Sequence, residues 1–136
     1  MTPQDPPQNP DQEVSSQASQ PDDQEPRPVL LLLQQKQEAT KLSFQLRLKG
    51  KKEEAEKASA KGEELGRQID KLLNKELQDW LERAQALEGQ LEKAIKDLET
   101  AVDHIKRDFQ VAQNVTSALG LLDDTIAAAK ELVSPG

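Results

Sequence analysis

Cysteine and tyrosine are absent from this chain of 136 residues, and its aromatic side chains are Phe44, Trp80 and Phe109. Without cysteine there are no disulfides and no thiolate chemistry, whatever the compartment. Without aromatic bulk no large enclosed ligand pocket is expected, and so neither a small-molecule substrate nor a cofactor. A core of Leu, Ile, Val and Ala suits packed helices instead. Proline is confined: seven of the eight lie in residues 1–28, and none falls between 29 and 134. Long apolar runs are missing as well. The longest, Val29 to Leu33, falls far short of the roughly 20 residues that a membrane-spanning helix needs. The N-terminus is acidic and proline-rich rather than basic, so no targeting segment is read and a soluble, cytoplasmic protein is expected. The length leaves room for one domain.

Charge is unevenly placed. The chain carries 18 basic and 25 acidic residues, a net of −7. Residues 1–28 hold six of the acids (Asp5, Asp11, Glu13, Asp22, Asp23, Glu25) against Arg27 alone, a net of −5 that leaves the rest at −2. An acidic chain is a poor partner for phosphate backbones, so no nucleic-acid partner is expected.

Four segments follow. Residues 1–28, rich in Pro, Gln and Asp, cannot bury enough apolar surface to offset the entropy of ordering them, and a disordered acidic tail is predicted. Its two PxxP spacings lack an adjacent base and read as chance. Residues 29–50 are apolar and basic. Over 29–49, helix and β-hairpin are equally supported: Leu42, Phe44, Leu46 and Leu48 alternate with polar residues as in a half-buried strand, while Gln34 to Lys41 are good helix formers. Residues 51–113 predict one long amphipathic helix, and residues 114–134 a shorter C-terminal helix. Asn114, Thr116, Ser117 and Gly120 mark either a turn between the two or a kink through which the helix continues.

The long-helix signal is a seam. Leu73, Leu77, Trp80, Ala84, Leu87, Leu91, Ala94, Leu98, Ala101 and Ile105 follow alternating steps of four and three, a heptad pattern. Ile95, Val102 and Phe109 widen the stripe to three apolar positions per heptad, which suits a helix that touches two neighbours. Five oppositely charged i, i+4 pairs (Glu53–Lys57, Glu63–Arg67, Asp79–Arg83, Glu92–Lys96, Asp103–Arg107) support a solvated face, each worth about 0.2–0.5 kcal/mol. The fold class expected is mainly α: a coiled coil or helical bundle behind a disordered tail.

Equipment for catalysis is sparse. His104 is the only histidine, and with Asp108 it offers two metal ligands at most, so a surface ion pair is the simpler role. Asp123 and Asp124 fit helix N-terminal partners after Gly120. Asn114-Val115-Thr116 matches a glycosylation sequon, a chance match without a secretory signal. Lys41, Arg47, Lys49, Lys51 and Lys52 form a run free of acids, either a solvated turn or a contact for an anionic lipid or polyanion.

These features predict a non-enzymatic interaction or scaffold protein, without metal or cofactor, that forms a homo-oligomer or pairs with partner helices. Leu73, Leu77, Trp80, Leu87, Leu91, Ile95, Leu98, Val102, Ile105 and Phe109 would form the interface. Two other readings are a membrane or lipid surface bound through residues 29–52, and an adaptor or chaperone helix that holds a client.

Overall fold

The computed structural model describes residues 26–134, and every regular element among them is an α-helix. Helix α1 spans Arg27–Leu48, α2 Lys52–Leu73, α3 Leu77–Gln85, α4 Glu88–Lys106 and α5 Val111–Val133. The segment expected to be a disordered tail lies outside the described residues, except for Pro26 to Pro28.

Residues 29–49, equally fit for helix and hairpin by sequence, form helix α1. The confusing alternation has a packing cause. Leu42 and Leu46 are fully buried, whereas Phe44 and Leu48 stand in solvent. Apolar residues therefore occur on both the inner and the outer face. The inner face is itself broad, because α1 touches α2, α4 and α5.

The single long helix expected over 51–113 is divided among α2, α3 and α4. The first corner follows Asn74, whose amide nitrogen donates back to Asp70 O at 3.0 Å, and Glu76 is extended with ψ 130°. The second corner, at Ala86 and Leu87, keeps both residues in the right-handed helical region. Neither corner uses proline or glycine, and neither α3 nor α4 has a side-chain N-cap. Apart from Asn74, nothing in the local sequence announces them.

The turn expected near residues 114–120 sits earlier, at Arg107–Gln110, and Gly120 lies inside α5. Helix α4 ends in a Schellman motif: Asp108 N donates to Ile105 O and Phe109 N to His104 O. The left-handed residue is Asp108 (φ 60°), where glycine is usual. Helix α1 ends the same way with Gly50 (φ 77°), its bonds running Gly50 N to Arg47 O and Lys51 N to Leu46 O.

Helices α1 and α2 form one antiparallel hairpin and α4 and α5 another. The hairpins dock so that α1 lies beside α4 and α2 beside α5. Arg27 pairs with Glu88 and Glu92 at the start of α4, and Lys49 with Asp108 just past its end, so α1 and α4 run parallel. Lys61 to Asp123 ties α2 to α5. Helix α3 bridges α2 and α4 across one end, with Trp80 and Ala84 in the core. Arg83 donates from there to Glu131 O (2.9 Å) and Leu132 O (3.3 Å), the free carbonyls at the C-terminus of α5. The result is an all-helical bundle of five helices rather than a two-helix coiled coil.

The α1–α2 contact depends on small residues. A Cβ added at Gly62 would stand 3.2 Å from the Ala39 Cβ, whereas one added at Gly120 would meet nothing within 4 Å. Gly62→Leu is therefore expected to lower stability by about 1–3 kcal/mol through overpacking. Gly120→Ala is expected to raise it by up to about 1 kcal/mol through helix propensity. Denaturant unfolding of the two variants checks the pair; equal effects would contradict the close approach.

Candidate interaction surface

The seam residues mostly face the chain's own interior. Trp80, Leu91, Ile95, Leu98 and Ile105 are buried in the two core clusters. Leu87 and Val102 pack partly buried against them. Leu73 and Leu77, on either side of the first corner, remain 46% and 47% exposed. Phe109 is also exposed, in the α4–α5 turn, with its ring edge against His104.

The two core clusters meet at a polar layer. One holds Leu32, Leu65, Ile69, Ile95 and Ile126; the other holds Ala39, Leu42, Ala58, Leu98 and Leu122. Between them lie Gln35 and Thr125, both buried. Gln35 Nε2 donates to Thr125 Oγ1 at 2.7 Å, and that hydroxyl donates to Leu121 O at 3.0 Å. Gln35 Oε1 and Trp80 Nε1 are buried without a partner among the described residues. The layer pins the register of α1 against α5, since the Thr125 hydroxyl is engaged on both sides, accepting from Gln35 and donating to Leu121 O.

The other candidates resolve into ties. His104 Nδ1 stands 3.3 Å from Asn114 Oδ1, while Asp108 turns to Lys49 on α1 at 2.9 Å, so the two residues weighed as a ligand pair serve different partners. Asn114 Nδ2, the atom a sugar would occupy, donates to Phe109 O and Gln110 O and closes the turn. Asp123 and Asp124 lie in mid-helix rather than at a helix start, and Asp123 holds Lys61. Of the five i, i+4 pairs, Asp103–Arg107 forms at 3.1 Å. Arg67 takes Glu64 instead of Glu63, and Glu92 is drawn to Arg27. The half-buried Glu64 carboxyl is held below its ordinary pKa because Arg67 and then Gln68 donate to it. A lowered carboxyl pKa favours the fold at neutral pH, and that contribution fades as acid protonates the group. Among the described residues no group of three or more His, Asp or Glu is placed to hold a metal.

What remains open is the outer ridge of α1. Residues 26–52 carry seven bases (Arg27, Lys36, Lys41, Arg47, Lys49, Lys51, Lys52) and one acid, Glu38, in a chain that is otherwise acidic. Lys49 is used as a tie and Lys41 bonds the buried Glu38 at 3.0 Å. Arg47, Lys51 and Lys52 make no ion pair among the described residues. On this ridge stand Phe44, 58% exposed, and Leu48, 63% exposed. Phe44 separates two grooves. One, of ≈ 540 Å³, runs between α1 and α4 past Val102, with Lys41 and Lys106 on its lining beside Glu38, Glu99 and Asp103. The other, of ≈ 420 Å³, runs between α1 and α2 over Ala39, Ser43, Ala58 and Gly62. Sequence reading found the lysine run but not the ridge, because Phe44 and Leu48 were indistinguishable from core residues until the helix was placed. No helix among the described residues is long and apolar enough to cross a membrane.

No protein-family model, curated protein or solved structure matches the chain.

The polar layer gives a direct test. Thr125→Val would leave the Gln35 amide without its acceptor and is expected to cost about 1–3 kcal/mol. Adding Gln35→Leu removes the stranded group, and most of the loss should return. Denaturant unfolding of both variants measures this; a double variant weaker than the single would contradict the pin.

Proposed function

We propose that this chain is a non-catalytic helical interaction module whose working surface is the outer ridge of α1. The observation that carries the reading is Phe44 and Leu48 standing exposed on the one strongly basic helix of an acidic protein. Scattered exposed apolar residues are ordinary. Here two of the largest share a ridge with Lys41 and Arg47 and border grooves of side-chain size. Such a ridge fits an acidic amphipathic helix, whose apolar residues would enter the grooves while its carboxylates meet the lysines and arginine. This is the adaptor reading. The grooves favour it over a flat lipid surface, which would meet the ridge without filling them.

A second reading, self-assembly through the heptad stripe, has its own support in Leu73 and Leu77. They are the large seam aliphatics that the bundle leaves half in water.

The ridge is tested by titrating the full chain with a synthetic helix bearing leucines on one face and glutamates on the other. Binding that weakens tenfold or more in Phe44→Ser, with folding stability unchanged within about 0.5 kcal/mol, is the expected outcome. No binding, or equal binding by the variant, would overturn the reading. Binding to anionic vesicles without any response to the peptide would move it to a lipid surface.

A further inference from the structure

The heptad seam crosses both corners of the bundle without a miss. Leu73 closes α2, Leu77, Trp80 and Ala84 lie in α3, Leu87 is at the second corner, and Leu91 lies in α4. A sequence that meant to stop a helix would interrupt this pattern or place proline, glycine or a cap. Neither proline nor glycine is present at Asn74–Glu76 or Ala86–Leu87, and the cap is Asn74 alone, whose side-chain amide donates to Asp70 O. The backbone barrier to straightening is equally local. Ala86 and Leu87 are already right-handed, with ψ −18° and −2°, and so is Asn74, with ψ −3°. Glu76, at ψ 130°, is extended and must swing.

We propose that the two hairpins exchange between two copies of this chain. The α2–α3–α4 segment would straighten into one long helix, and α1–α2 of one protomer would dock on α4–α5 of its partner. The proposal rests on the self-assembly reading and supplies its route. The geometry permits it. Helices α2 and α4 run antiparallel in the bundle, so two straightened helices related by a two-fold axis at the corner keep the same relative direction. Each α1–α4 and α2–α5 contact is recreated with the same residues, so the cost of exchange falls on α3, whose Trp80, Ala84 and Arg83 leave their places at the end of the bundle. Two interactions are gained. Asn74 N and Lys75 N already bond back into α2, but the amides of Glu76, Leu77 and Gln78 gain helical acceptors, and Leu73 and Leu77 join a continuous stripe instead of standing at an exposed bend.

Leu77→Pro separates the two states. Leu77 is the first residue of α3, where a proline is tolerated, and Glu76 already has the extended conformation that a following proline favours. In the long helix the same proline would clash with Leu73 O and remove a hydrogen bond. Leu77→Ala is the control, since it removes the side chain and keeps the helix possible.

The wild type, Leu77→Pro and Leu77→Ala are each refolded from denaturant at high chain concentration, and mass is read by sedimentation. The wild type and Leu77→Ala are expected to give a dimer, twice 15.1 kDa. Leu77→Pro is expected to stay monomeric with wild-type helicity, its dimer fraction at least tenfold lower. Should the proline variant fail to fold, Asn74→Ala, which makes the corner a better helix, must raise the dimer fraction above wild type; no rise overturns the proposal. A dimer in both wild type and Leu77→Pro would leave self-assembly standing and overturn the exchange. A wild type that remains monomeric would overturn both.

Discussion

An apolar stripe that runs from Leu73 to Ile105 must be covered, and a single chain has only its own other helices to cover it. Left straight, residues 52–106 would form a rod of roughly 80 Å with the stripe in water. Burial returns about 25 cal/mol for each Å² of apolar surface, far more than a few helical hydrogen bonds at a corner. The chain therefore bends twice, and α1 and α5 close over the bent segment. Trp80 sits where this constraint is tightest. It is buried at the end of the bundle in the space that α3 spans, and its indole nitrogen has no partner among the described residues.

Coverage alone does not set the register of four similar helices. Small and polar groups do that. Gly62 opposite Ala39 fixes how closely α1 and α2 approach, and Ser43 Oγ donating to Ala55 O at 3.0 Å fixes their offset. Gln35 and Thr125 set the level of α1 against α5. Charged groups at the ends, Arg27 with Glu88 and Lys49 with Asp108, hold α1 parallel to α4. Exposed pairs of this kind add little energy singly, and their value here lies in choosing one arrangement over its neighbours.

The helical class was legible in the sequence because the 3.5-residue pattern is carried by large aliphatics. The corners were not. Asn74 to Glu76 and Ala86 to Leu87 are ordinary helix-compatible residues, and tertiary coverage rather than local propensity bends them. The last turn was misplaced for a related reason. Asp108 and Gln110 take left-handed conformations without glycine, while Gly120, the visible breaker, is an unobstructed position inside α5. Helix α1 was hidden by its own exposed ridge: Phe44 and Leu48 made the pattern look like a strand, and those same two residues became the candidate surface.

The central claim is that one chain suffices to cover its own stripe. Circular dichroism and sedimentation on the same dilute samples test it most directly. The account predicts a 15.1 kDa monomer that stays strongly helical and unfolds cooperatively, with a midpoint that does not move as the protein is diluted further. A chain that loses its helicity as it becomes monomeric would show that another chain must cover the stripe, and would contradict the account.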